Sequence, residues 1–430
     1  MTLSWFQIIR LGLIQMCLGA IVVLTTSTLN RLMAVELALP AMIPGALVAL
    51  HYGIQITRPG WGLQSDTMGN RTRFINGGMI ALAGGALLAT LGVVMIPATP
   101  VAGLLLSVVA YALIGLGVGS SGTALLALLA TATAPQRRAA AATITWLMMI
   151  FGIAATAGTV GWLMEPYSPA LLLQIVLAVC LGAVMLTALA IWGIEARVIA
   201  EHAPDPVPFR QGLAEVWAEP RARVFTLFVF LSMVAYFMQE LILEPYAGLV
   251  FNFTPGQSTS LSGAQNGGVF VGMLLVGIAA TGLRIGSLRH WVMAGCVGSA
   301  LALIVIAALG RFGGPLVPAV VALGFFNGMF AVAAIGSMMA LAGEGRDRRE
   351  GTRMGLWGAA QAMAAAAGGF SGTALVDLGR IWLTDATAFG AVFLFEAGIF
   401  FVAALIAARV IDHRRGGASA PAKAFAVAGE

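Results

Sequence analysis

The sequence predicts an all-α integral membrane protein of twelve transmembrane helices, arranged as two six-helix bundles. Three observations predict it. Of the 430 residues, 60% are hydrophobic and only 10% charged, with a mean hydropathy of +0.94; soluble domains carry roughly 25% charged residues. Apolar segments of spanning length, about 20 residues, recur along nearly the whole chain. The two halves also echo each other: Arg138 and Arg349, Trp146 and Trp357, Ala155 and Ala366, Gly158 and Gly369, and Gly161 and Gly372 each lie 211 residues apart.

Taken in order, the apolar segments lie near 8–30, 37–57, 75–95, 101–132, 140–164 and 169–194 in the first half. In the second half they lie near 224–246, 260–282, 291–310, 315–342, 354–376 and 387–410. Pro40 and Pro44 break the second early, and the fourth is long enough to tilt. Between the sets of six runs the long polar linker 197–223. Its APDPVPF stretch is proline-rich and extended, and QGLAEVWAEPRAR reads as a short amphipathic helix on the membrane surface. The expected division is therefore 1–196, linker 197–223, 224–411, and a disordered tail 412–430 rich in Gly, Ala and Pro.

Charge sets the orientation. With both termini inside, the inner segments collect twenty of the 23 basic residues, and the outer side keeps only Arg31, Arg311 and Arg380. This is the positive-inside pattern, and it places both termini in the cytoplasm. It also accounts for the pI near 9.6 without nucleic acid, because the arginines fall in loops rather than on one aromatic-interleaved patch. Cys17, Cys180 and Cys296 lie far apart in apolar runs, with no disulfide or zinc spacing. The first apolar stretch outruns a signal peptide and lacks a clear cleavage site. GLGVGSSG (115–122) holds the letters of a dinucleotide loop but sits inside an apolar span, where close helix packing explains it better. No nucleotide loop, zinc-protease helix or serine elbow stands in a suitable context, so the expectation is that the chain is no enzyme.

The loop RPGWGLQSDTMGNRTR (58–73) reads as a tight cytoplasmic hairpin. Gly62, Gly69 and Gly60 allow a sharp reversal, Asp66 is placed to meet a helix N-terminus, and Arg58, Arg71 and Arg73 surround it. Its spacing resembles the signature loop between the second and third spans of the major facilitator superfamily, with Thr67 where a basic residue usually stands. Parallel half-repeats, each of two inverted triplets, are that superfamily's architecture.

Polar residues inside spans carry the functional candidates, because a charge in lipid needs a partner or a role. Asn30, Arg31 and Glu36 lie at the outer end of the first hairpin. Arg31 pairs there with Glu36, as an outer-surface clasp, or with a carboxylate elsewhere. Gln239, Glu240 and Glu244 precede Pro245, which ends or kinks the helix. Glu240 and Glu244 share a face, serving either proton coupling or an interface cap. His51, with Gln55 one turn on, is either a packed core histidine or a metal ligand. Glu396, flanked by phenylalanines, contacts either a polar group in the bundle or a partner protein. The small-residue stripes Gly158, Gly161, Gly369 and Gly372 suit partner helices or internal packing alike.

Two strings, LNRLMAVELALPA (29–41) and LSMVAYFMQELILEPYAG (231–248), together with the linker FRQGLAEVWAEPRARVFTLFVFLSMVAY, resemble the PucC family over nearly the whole chain. The positions shared with its strings are Asn30, Arg31, Glu36, Asp66, Gln239, Glu240, Glu244, Pro245 and Tyr246. The resemblance implies a photosynthetic-membrane factor that binds or delivers bacteriochlorophyll, or a late precursor, for light-harvesting assembly. It implies as partners antenna polypeptides, or the late enzymes that attach or saturate the prenyl tail. His51 would be the axial ligand to the pigment magnesium, with Gln55, Glu240, Glu244, Tyr246 and Glu396 as further contacts. The alternatives are a proton-coupled transporter of a small lipophilic solute, or a scaffold for pigment-synthesis enzymes.

Overall fold

The structure is a computed structural model that describes residues 2–58, 61, 64, 70–134, 137–195, 217–283, 285–343 and 350–411. The described residues form twelve long helices. They are α1 (Trp5–Glu36), α2 (Met42–Thr57), α3 (Arg71–Met95), α4 (Pro100–Ala132), α5 (Arg138–Leu163) and α6 (Pro169–Ile191) in the first half. The second half holds α7 (Pro220–Phe251), α8 (Pro255–Val276, continued by a π-helical stretch Gly277–Gly282), α9 (Leu288–Phe312), α10 (Leu316–Gly343), α11 (Glu350–Arg380) and α12 (Asp385–Val410).

Local sequence sets the helix ends. Four helices, α4, α6, α7 and α8, start with proline at the first position, where its missing N–H costs nothing. Ser4 with Gln7, and Thr254 with Gln257, form capping boxes at the starts of α1 and α8. Asn252 ends α7 in the left-handed region at φ 57°.

Among the described residues, ten helices are long and apolar enough to cross a membrane. The two that fall short are α2 and α11, where the sequence also predicts spans. The apolar part of α2 is short, Met42–Thr57. The 31 residues of α11 reach about 46 Å at 1.5 Å per residue, but they are rich in Gly and Ala. These two helices pack on each other between the halves. A methyl group on Gly45 of α2 would strike Thr373 of α11, and Asp377 of α11 accepts from the Ala41 and Met42 amides at 3.0 and 2.7 Å. Helices shielded by one another need less apolar surface.

Buried apolar side chains form two large clusters. One runs from Ala222 to Ile411; the other comprises residues from Leu3 to Ile194 plus Leu241 of α7. A small third cluster, Ile150 with Val269 and Met273, joins α5 to α8.

Two boundaries differ from the sequence expectation. The first span does not stop near residue 30: α1 continues through two π-helical turns, Leu24–Thr28 and Leu32–Glu36. Asn30, Arg31 and Glu36 therefore stand on a helix, not in a hairpin loop, and Asn30 and Arg31 are buried. Nor does Pro245 end α7, which runs on to Phe251 with the proline in its interior. Gly62, Asp66 and Gly69, most of the linker and the tail lie outside the described residues.

Candidate functional site

The polar side chains gather where α1 meets α7 and α8. α1 carries four consecutive hydroxyl residues, Thr25 to Thr28, in an otherwise apolar stretch. Thr25 and Thr26 donate back to the Val22 carbonyl, a pattern that bends helices. This run is the first π turn, and Tyr111 of α4 donates to the Thr25 carbonyl at 2.6 Å. Thr28 then reaches Thr259 of α8 at 3.2 Å.

One turn further, Asn30 donates from its side-chain amide to the Leu241 carbonyl at 2.7 Å. Leu241 is four residues before Pro245, so it is the carbonyl that a helical N–H at 245 would have served. The asparagine of α1 thus satisfies the acceptor that proline orphans in α7, and the helix continues through it.

Arg31 is 1% exposed. Its Nη1 donates to Glu36 Oε1 at 2.5 Å, its Nη2 to the Phe253 carbonyl at 2.6 Å and its Nε to Ser258 Oγ at 3.2 Å. Arg31 and Glu36 are therefore brought together, yet the clasp also holds the α7–α8 connection. Gly248 leaves room for it, since a Cβ there would meet Arg31 Nη2 at 3.2 Å. Tyr167, in the connection between α5 and α6, has its phenol raised by burial, with Glu36 adding to the shift and Arg31 opposing it.

Below this tie lies a cavity of about 50 Å³, lined by Thr26, Ser27, Tyr236, Gln239, Glu240, Ser262, Gln265 and Asn266 together with Val22, Val23 and Ile153. Glu244 is buried behind it and accepts from Ser262. At about 10–15 Å³ per water-sized sphere, this space holds a few waters. Ligand pockets run to about 300–1,000 Å³, so a tetrapyrrole does not fit here.

The remaining predicted residues lie apart from this cavity. His51 is 1% exposed. Arg58 donates to Gln55 Oε1, which turns the Gln55 amide nitrogen toward His51 Nε2 at 3.1 Å. That donor order makes Nε2 the acceptor and leaves the proton on Nδ1, which has no partner among the described residues. Tyr246 is wholly buried against Phe251, Phe389 and Phe393 and donates to the Ile306 carbonyl at 2.7 Å, joining α7 to α9. Glu396 is buried in the second-half core, with no partner for either oxygen among the described residues.

At the opposite end, the carboxylate on the start of α3 is Glu195, from beyond the end of α6. It accepts from the Arg71 amide at 2.8 Å and from the Thr72 amide and hydroxyl at 2.9 and 2.6 Å, a favourable place for negative charge. The Arg71 side chain donates to Thr131 at 2.5 Å, and Arg73 is exposed. Sequence reasoning missed Glu195, Asp377, Ser262 and Gln265, and read Asn266 only as one of the few polar residues inside spans. Asp377 stands directly after the apolar segment read as 354–376, inside the longer helix α11.

The family described as PUCC protein matches residues 28–415. The chain belongs to the PucC family. A Rhodobacter capsulatus relative named "Bacteriochlorophyll synthase 44.5 kDa chain" is 67% identical over 98% of this chain and 99% of its own. "Protein PucC" of Cereibacter sphaeroides is 27% identical over 93% of this chain and 91% of its own. Among solved structures, the nucleoside transporter NupG superposes with a TM-score of 0.70 at 14% identity, over 94% of this chain and 100% of that one. A bacterial homologue of the lysosomal transporter Spinster gives 0.69 at 12%, over 95% and 98%. The PucC-family chain thus has the major facilitator fold and is a multi-pass membrane protein related to bacteriochlorophyll-based photosynthesis. One expectation is corrected: a near full-length relative at 67% identity is named as a chain of a synthase, which points to an enzyme-associated subunit and overturns the reading that set enzymes aside.

Proposed function

We propose that this chain is a pigment-handling subunit of the machinery that completes bacteriochlorophyll, seated in the photosynthetic membrane. It holds the prenylated pigment, or its late precursor, beside the enzymes that attach or saturate the tail, and passes it toward antenna polypeptides. The observation that carries this reading is the 67% identity, end to end, with the Rhodobacter capsulatus synthase chain.

The central cavity of about 50 Å³ excludes the ring, and His51 is committed to Gln55. The small size of this cavity supports a pigment held along a lipid-facing side of the two six-helix bundles, residues 1–196 and 224–411, where a prenyl tail meets hydrocarbon. The central polar residues belong to the union of the halves.

The test is gentle purification of the full chain from its native phototrophic membrane, followed by an absorption spectrum and identification of co-eluting proteins. The expected result is a bacteriochlorophyll band that survives detergent exchange, together with the enzyme that attaches or saturates the tail. A colourless protein that elutes alone overturns the proposal.

A further inference from the structure

The cavity between α1, α7 and α8 carries a polar set that the pigment reading leaves unused. Gln239 lines it, is fully buried, and has no partner for either amide atom among the described residues. Buried amides are nearly always hydrogen-bonded, so a bare one calls for an occupant. Beside it stands Glu240, which no hydrogen bond or ion pair reaches among the described residues.

The wall holds no Arg, Lys or His. The nearby guanidinium of Arg31 is already engaged by Glu36, Ser258 and the Phe253 carbonyl. One carboxylate thus faces a small enclosed space with no countercharge. The other donors are oxygens: the amide carbonyls of Gln239, Gln265 and Asn266 and the hydroxyls of Ser27 and Ser262. Carboxylate, amide and hydroxyl oxygen without nitrogen or sulfur is the ligand set of hard cations. Glu240 is the carboxylate that lines the space; Glu244 stands behind it, one oxygen held by Ser262 and the other without a partner among the described residues. One lining carboxylate matches one positive charge; calcium sites are built with more acidic ligands and magnesium holds on to several waters. The volume admits an ion with part of its hydration shell.

We infer that this cavity binds one monovalent hard cation of sodium's kind, coordinated by Glu240 and Gln239 and bridging α1 to α7 and α8. The inference stands independently of the pigment reading. Glu240 and Gln239 both stand on α7, while Ser27 of α1 lines the same space from the first half, so binding stabilises the folded state in which these helices meet.

The experiment uses the full-length protein in nanodiscs. Thermal unfolding is followed while sodium chloride replaces choline chloride at constant ionic strength, with potassium, magnesium and calcium chloride as further arms. The expected result is a saturable rise in Tm with sodium, absent in Glu240→Gln and Gln239→Leu. Equilibrium binding of radiolabelled sodium to the unaltered protein keeps the test decisive if a variant fails to fold; it is expected to approach one ion per chain. Equal Tm values in sodium and choline with no saturable binding overturn the proposal. So does a response to pH alone, which makes Glu240 a proton site, and so does a larger response to magnesium or calcium.

Discussion

At the scale of single residues, the chain solves a local defect with a distant side chain. Pro245 removes the N–H that Leu241 needs, and Asn30 supplies a replacement at 2.7 Å. Replacing Asn30 with Ala leaves a buried carbonyl bare, which costs about 1–3 kcal/mol by the general rule and about 0.6–1.7 in membrane bundles. The expected loss for Asn30→Ala is about 1 kcal/mol of unfolding free energy. In a Pro245→Ala background the restored N–H serves Leu241 from within α7, so the same change should cost markedly less. A double-mutant cycle by denaturant titration in micelles measures the coupling; additive losses would refute the link. The sequence made both ends of this pair conspicuous, as an asparagine and a proline inside apolar spans. It could not join them, because Leu241 looks like any core leucine and acquires its importance only from the residue four places on.

At the scale of elements, the helices that meet across the halves approach through small residues. On α5, a Cβ added at Gly161 would lie 2.5 Å from the Ser260 amide nitrogen and 2.6 Å from the Gly256 carbonyl of α8. Both are backbone atoms, so nothing flexible can give way. Three residues earlier, a Cβ on Gly158 meets nothing within 4 Å. Gly161→Ala should destabilise by about 1–3 kcal/mol through forced separation, while Gly158→Ala should be neutral or gain up to about 1 kcal/mol in helix propensity. Thermal unfolding of the two variants side by side checks this, and equal effects would refute the packing argument. The repeat pattern displayed these glycines, but it left open whether they face partner proteins or each other. Gly161 faces α8, and Gly369 and Gly372 face α7, so much of the stripe is spent inside the molecule. Helix starts were legible at Pro100 and Pro169, but α7 and α8 start at Pro220 and Pro255, ahead of the apolar segments read near 224–246 and 260–282. The end of α1 was misread at Asn30–Glu36, where polar residues announce a loop only if water, rather than protein, satisfies them.

At the scale of the whole molecule, several polar ties between the halves among the described residues share one end. Asn30 and Arg31 on α1, Glu165 with Thr254, and Asp377 with the start of α2 all lie at the end opposite the first residues of α1 and the last of α12. Exposed Trp162, Trp382 and Phe312 ring that end, and Trp192 and Trp5 the other, as amphipathic aromatics do at the two faces of a bilayer. The orientation then follows from the basic residues. Three arginines belong to the tied end; Arg31 is spent on Glu36 at 2.5 Å and Arg380 on Asp385 at 2.7 Å. Arg10, Arg71, Arg137, Arg221, Arg289 and Arg409 stand at the helix ends on the other side, and because a Lys/Arg excess marks the cytoplasmic face we propose that this side is cytoplasmic. A fluorescent-protein fusion at the C-terminus should therefore fold and emit, and an alkaline phosphatase fused at the same point should be inactive. The same phosphatase inserted at Trp382, in the connection between α11 and α12, should be active. Reversal of all three signals would place the tied end in the cytoplasm.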